Sequence, residues 1–109
     1  MKINIKGKEI ELRETYSAHI IYENRMKESF KLEDMGDMFI TKYMNFLYAI
    51  ILGSDKKLEL TFEEFQDWVD DNMDVLPDFI EWYWDRVLQN ADEIAADKND
   101  EKVDKKKED

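Results

Sequence analysis

The 109-residue chain has no cysteine, one histidine, one proline and three glycines. Without cysteine there is no disulfide scaffold, thiolate zinc site or cysteine nucleophile, and the chain suits a reducing compartment. With His19 as the sole histidine, a metal site built on a histidine pair is excluded, and any Ser–His–Asp triad would depend on that one ring. Gly7, Gly36 and Gly53 are isolated, so no phosphate-cradling glycine loop is encoded, and Ser17, Ser29 and Ser54 all lie outside a G-x-S-x-G elbow. Long hydrophobic runs are missing too: the longest apolar-rich stretch, Met44 to Leu52, is interrupted by Asn45 and is too short to span a bilayer. Met1 to Leu12 alternates charged and aliphatic residues and has none of the apolar core of a signal peptide. These absences lead us to expect a small cytosolic domain with no enzymatic activity, cofactor, metal or membrane partner.

Positive charge is scarce in one region only. Residues 1–58 carry ten basic and nine acidic side chains, a net +1. Residues 59–96 carry twelve acids against Arg86 alone, a net −11, and the tail 97–109 is nearly neutral at −1. A nucleic-acid binder needs Lys and Arg gathered on one surface, which this distribution opposes. The acids either solvate helix faces or steer a partner. With 43% hydrophobic and 13% aromatic residues, the chain has enough apolar material for one packed domain.

Ile3, Ile5, Ile10 and Leu12 alternate with polar residues around Gly7, predicting a hairpin over 2–13. Lys6-Gly7-Lys8 has no Asn-Gly signal, leaving a two-residue, three-residue or bulged turn open. Thr15 is placed to cap a helix over 15–27 whose apolar surface would be Tyr16, Ile20, Ile21 and Tyr22. After a connector over 29–33, Asp34 can cap a long helix over 35–52, closed by Gly53. Phe39, Ile40, Tyr43, Met44, Phe46, Leu47, Ile50 and Ile51 fill a broad face of it, with Met38, Tyr48 and Leu52 elsewhere on the wheel, which makes it the central helix. Thr61-Phe62-Glu63-Glu64 is a capping box opening a helix over 61–72 with Phe62, Phe65, Trp68 and Val69 inward. Pro77 begins the last helix, 77–96, whose stripe is Phe79, Ile80, Tyr83, Trp84, Val87, Leu88, Ala91 and Ile94. The expected fold is α+β and mostly α: an N-terminal β-hairpin on a bundle of about four helices in a single domain, 1–96, followed by a flexible charged tail, 97–109.

Leu60 to Phe65 resembles the exit of an EF-hand loop, but counting back puts Gly53 at the first ligand position, Lys57 at the fifth and Leu58 at the required glycine. The capping box accounts for the same letters. Adjacent carboxylates such as Glu63-Glu64, Asp70-Asp71 and Asp92-Glu93 diverge by about 100° on a helix and do not converge on a metal or glycoside. His19 reads as a partly buried packing residue. Trp82 lies about 150° from the centre of the last helix's stripe. It is either an outward-facing anchor among Asp78, Glu81 and Asp85 or a ring covered by another element. With Trp68, Asp70 and Asp71 these residues form the candidate partner-binding set.

The opening M-K-I-x-I-K-G-K-E-I-E-L, the helix containing I-I-Y-E, the broad aromatic helix and L-x-L-T-F-E-E-F-x-D-W-V-D follow in order over residues 1–85. This pattern resembles the small tail assembly chaperones of long-tailed, siphovirus-like bacteriophages. Met35-Gly36-Asp37-Met38 and Trp82-Tyr83-Trp84 lie outside it. The resemblance implies a non-catalytic role in the host bacterial cytoplasm: binding the tape-measure protein, keeping it soluble, and helping tail-tube subunits assemble, with no place in the finished virion. It also implies a longer frameshifted form, for which Lys105-Lys106-Lys107 would mark the slip; a gene without a slippery heptamer there would exclude it. Homo-oligomers, through the hairpin edge or the short third helix, are compatible with this role. The competing expectation is an acidic phage-encoded inhibitor, or nucleic-acid mimic, occupying a basic site on a host protein. A small enzyme built around His19 is the third.

Overall fold

The alternating isoleucines fold as the expected hairpin. The computed structural model describes residues 1–31 and 40–90. In it β1 (Lys2–Ile5) and β2 (Lys8–Glu11) pair antiparallel, with Ile3 opposite Ile10 and Ile5 opposite Lys8. The turn is the two-residue kind: Lys6 and Gly7 have φ of 51° and 75°, as a type I′ turn requires. A lysine is strained in that left-handed region, and tertiary contacts hold it there. Its ammonium donates to the Glu59 carbonyl at 2.8 Å and lies 3.1 Å from the Glu64 carboxylate. Ile3, Ile5, Ile10 and Leu12 are buried beneath the hairpin.

Helix α1 (Tyr16–Met26) begins where expected, with the Thr15 hydroxyl accepting from the Ala18 N–H, and stops at Lys27 in the left-handed conformation. Its inward face differs from the expected one. Ala18 and Tyr22 are buried and Ile21 half-buried, whereas Tyr16 is 90% and Ile20 58% exposed. Gly53 on α2 (Ile40–Ser54) explains why. A Cβ at Gly53 would lie 2.8 Å from Thr15 Oγ1, 2.9 Å from the Ala18 nitrogen and 3.0 Å from the Ala18 Cβ. The two helices meet at their smallest residues, and that contact rotates Tyr16 and Ile20 outward. Gly53 is thus a close-approach residue inside a helix that runs on to Ser54, and it does not terminate it. The proposed Asp34 cap and the positions Met35 to Phe39 lie outside the described residues.

α2 is the central helix. Every residue from Asn45 to Ile51 is buried, including Tyr48, so its covered surface exceeds the broad face expected, while Ile40 at its described start is exposed. Phe46 is the hub: Phe30 stacks on it at 3.7 Å, and Tyr22 and Tyr83 meet it edge-on at 5.7 and 5.1 Å. Such edge-to-face pairs suit the ring quadrupole. Phe30, from the connector, joins the core without belonging to any periodic stripe. Buried Asn45 is satisfied, donating to the Thr41 carbonyl and accepting from Arg25 Nε, both at 2.8 Å. The Arg25 guanidinium then lies over Phe62 at 4.3 Å and Tyr48 at 4.9 Å.

Helix α3 (Phe62–Asp71) carries the complete capping box: Thr61 Oγ1 accepts from the Glu64 N–H, and Glu64 Oε1 accepts from the Thr61 N–H. Phe65 and Val69 are buried, and Phe62 and Trp68 half-buried. Helix α4 is described over 75–90, so it starts two residues ahead of Pro77, which sits in its first turn. Phe79 and Tyr83 reach the core, Ile80, Trp84 and Val87 are half-buried, and Leu88 is 55% exposed, off the buried stripe. Ala91, Ile94 and the expected tail lie outside the described residues. The fold is α+β and mostly α, a two-stranded hairpin with four helices, and α2 packs against α1, α3 and β2. Among the described residues no helix is long and apolar enough to cross a membrane.

Candidate functional site

Three surface features stand out, and the sequence set of candidates divides among them. The first is the outer face of α1. Ile20, Ile21, Leu52 and Leu58, with Ser17 and Lys56, line an open groove of about 430 Å³. Tyr16 stands one turn before Ile20 and projects into solvent. An exposed aromatic beside an apolar groove is an anchor geometry for a partner helix. Hydropathy groups Tyr16 and Ile20 with Ile21 and Tyr22 as one apolar surface, which the structure splits. The available signal was Ala18, too small to belong in a face otherwise made of large residues unless another backbone comes close.

The second is a groove between β1 and the α3–α4 turn, about 460 Å³ in volume. Trp68, Asp71 and Asp78 from the candidate set meet here, together with Asp74 and Met73, which the set omitted. Trp68 is half-buried, and its indole N–H donates to the Asn4 carbonyl at 2.9 Å, clipping α3 to the hairpin. Asp70, Glu81 and Asp85 are exposed but do not line this groove. None of Asp70, Asp71, Asp74, Asp78, Glu81 and Asp85 makes an ion pair among the described residues. Trp82 sits between the two positions considered for it. It is half-buried, its ring 5.9 Å from Phe79, with the Arg86 guanidinium over it at 5.1 Å. The helical wheel placed it facing out; Phe79 and Arg86 cover much of the ring.

The third is a polar cluster around Glu14. Its Oε2 lies 2.8 Å from His19 Nε2 and accepts from the Tyr83 hydroxyl at 2.8 Å, while Arg86 approaches Oε1 at 3.8 Å. Burial, then the hydrogen bond to Glu14, pushes the Tyr83 phenol well above its ordinary value. His19 is half-buried with its ring 5.7 Å from Phe46, the packing role expected of it. Arg86, the sole cation of residues 59–96, is turned away from the acids of its own helix toward Glu14 on the other half of the chain. Glu64, the candidate bidentate ligand of the EF-hand comparison, is committed to Thr61 and Lys6.

The chain matches no family model, no curated protein and no solved structure.

Proposed function

We propose that the chain is a bacteriophage tail assembly chaperone: a non-catalytic protein that binds the tape-measure protein in the host cytoplasm, keeps it soluble and supports assembly of tail-tube subunits around it. The observation that carries this reading is the exposed apolar strip of α1, Tyr16 and Ile20 beside the groove of Ile21, Leu52 and Leu58. An amphipathic client helix would lay its apolar face into that groove. The carboxylates of residues 67–85, which make no ion pair among the described residues, also support the reading. They keep a chain with an open apolar face soluble and disfavour contact between chaperone copies. The order of motifs over residues 1–85 supplies the choice of client.

Sequencing the neighbouring genes for a tape-measure gene, and co-expressing its product with this chain, tests the proposal. The expected result is a soluble complex recovered by pull-down and little change in binding on raising salt, since the contact is apolar. Failure to recover a complex or to raise client solubility would overturn it. Binding to a basic host protein that collapses with salt would instead support the acidic inhibitor.

A further inference from the structure

Among the described residues, the edge of β1 away from β2 carries no further strand, and it lines a groove with carboxylates. In an antiparallel pair, alternate residues direct their backbone groups at the partner strand and away from it. The Leu12 N–H donates to the Met1 carbonyl at 2.8 Å, so in this register Ile3 and Ile5 also bond toward β2, while Lys2 and Asn4 direct theirs outward. The Asn4 carbonyl is taken by the Trp68 indole. The Lys2 N–H, the Lys2 carbonyl and the Asn4 N–H have no protein partner among the described residues. All three belong to the strand that lines the 460 Å³ groove. The α3–α4 turn supplies the rest of its lining, including Asp71, Asp74 and Asp78 with Val75 and Met73. The cations on the hairpin side are already engaged: the Met1 ammonium lies 3.1 Å from Glu11, and the Lys2 ammonium 3.6 Å from Glu9.

We infer that this groove binds an extended, basic peptide segment by adding it as a third strand to the edge of β1. Three backbone hydrogen bonds, to Lys2 and Asn4, hold the segment, and Trp68 ends the pairing by occupying the Asn4 carbonyl. A strand presents every second side chain to one side, about 6.6 Å apart. Lysine or arginine at the alternate positions on the side of the α3–α4 turn can then meet Asp71, Asp74 and Asp78. Charge also rejects the other obvious occupant: two copies pairing β1 to β1 would bring their aspartate walls together. The site is separate from the α1 face and holds whatever the identity of the helical client.

The test uses the full chain and a fluorescent hexapeptide of alternating lysine and valine. Its controls are an alternating glutamate–valine peptide and a lysine–valine peptide N-methylated at alternate backbone amides. The lysine–valine peptide should bind and the glutamate peptide should not, and N-methylation should weaken binding by about tenfold or more, as the loss of one or two hydrogen bonds does. The triple variant Asp71→Asn, Asp74→Asn, Asp78→Asn should weaken it comparably while keeping the circular dichroism of the unmodified chain. Lys2→Pro is the sharper variant. It deletes an outward N–H without touching the bonds to β2, and it also removes a positive charge. Electrostatics alone would make that variant bind the basic peptide more tightly, whereas strand addition makes it bind more weakly. Equal binding of the methylated peptide, tighter binding by Lys2→Pro, or a homodimer of the unmodified chain abolished by Lys2→Pro would each overturn the proposal.

Discussion

Helices α1 and α3 are similar in length, and both are capped by a threonine, yet they expose opposite kinds of surface. α3 follows its own periodicity: Phe65 and Val69 go in, and Glu63, Asp67, Asp70 and Asp71 stay out. α1 does not, burying Ala18 while Tyr16 and Ile20 face solvent. The difference lies in the neighbour. α3 docks through large side chains, so hydrophobicity selects its inward face. α1 docks against Gly53 at Ala18, so the close approach there, with Tyr22 one turn on, sets its inward face. Seated this way, α1 buries Tyr22 but leaves Tyr16 and Ile20 available for another molecule.

Removing the close approach should have the largest effect on this contrast. Gly53→Val forces a branched side chain against the Thr15 hydroxyl and the Ala18 backbone and should cost about 3 kcal/mol, at the upper end for overpacking. Gly53→Ala should cost less, about 1–2 kcal/mol, because the gain in helix propensity offsets part of the clash. Urea unfolding midpoints measure both, and a neutral Gly53→Val would refute the account of α1's orientation. The caps come next: Thr61→Ala and Thr15→Ala should each cost about 1 kcal/mol, with Thr61 the larger. Thr61 alone belongs to a reciprocal box.

Acid should act through the clips that join the hairpin to the second half. The Thr61 backbone N–H, followed by Lys6, holds the Glu64 carboxyl below its ordinary 4.5. Lys8, followed by the Lys57 N–H, holds Asp55 below 3.8. Groups with lowered folded values stabilise fully above their unfolded values, and that contribution disappears as pH falls through the folded ones. Stability should therefore fall as pH drops below about 4.5, and the double variant Glu64→Gln, Asp55→Asn should fall less steeply over the same range. Identical slopes would show that these two carboxylates are not the linked groups.

Much of this molecule was legible before its structure. The alternation of Ile3, Ile5 and Ile10, the Thr15 cap, the capping box at Thr61 and the apolar breadth of α2 each depend on neighbours in sequence, and each is where expected. Features that depend on a distant partner were not legible. The Lys6-Gly7 turn is held by Glu59 and Glu64. Phe30 becomes core because Phe46, Tyr22 and Tyr83 surround it. Gly53 reads as a terminator until Ala18 is seen against it. The candidate set was legible in part: Trp68, Asp71 and Asp78 do share a groove, but periodicity could not show that its other wall is a strand edge, nor that Phe79 and Arg86 cover much of Trp82.

The smallest expected effect on stability accompanies the most consequential change in function. Tyr16→Ser with Ile20→Ser alters two exposed side chains and should shift stability by no more than about 0.5 kcal/mol. The direct measurement is the soluble fraction of the tape-measure protein co-expressed with the unmodified chain or with this double variant, alongside the thermal midpoint of each. The account predicts a client kept soluble by the unmodified chain and lost to the pellet with the variant, at unchanged thermal midpoint. Equal client solubility with both chains, or with neither, would contradict it.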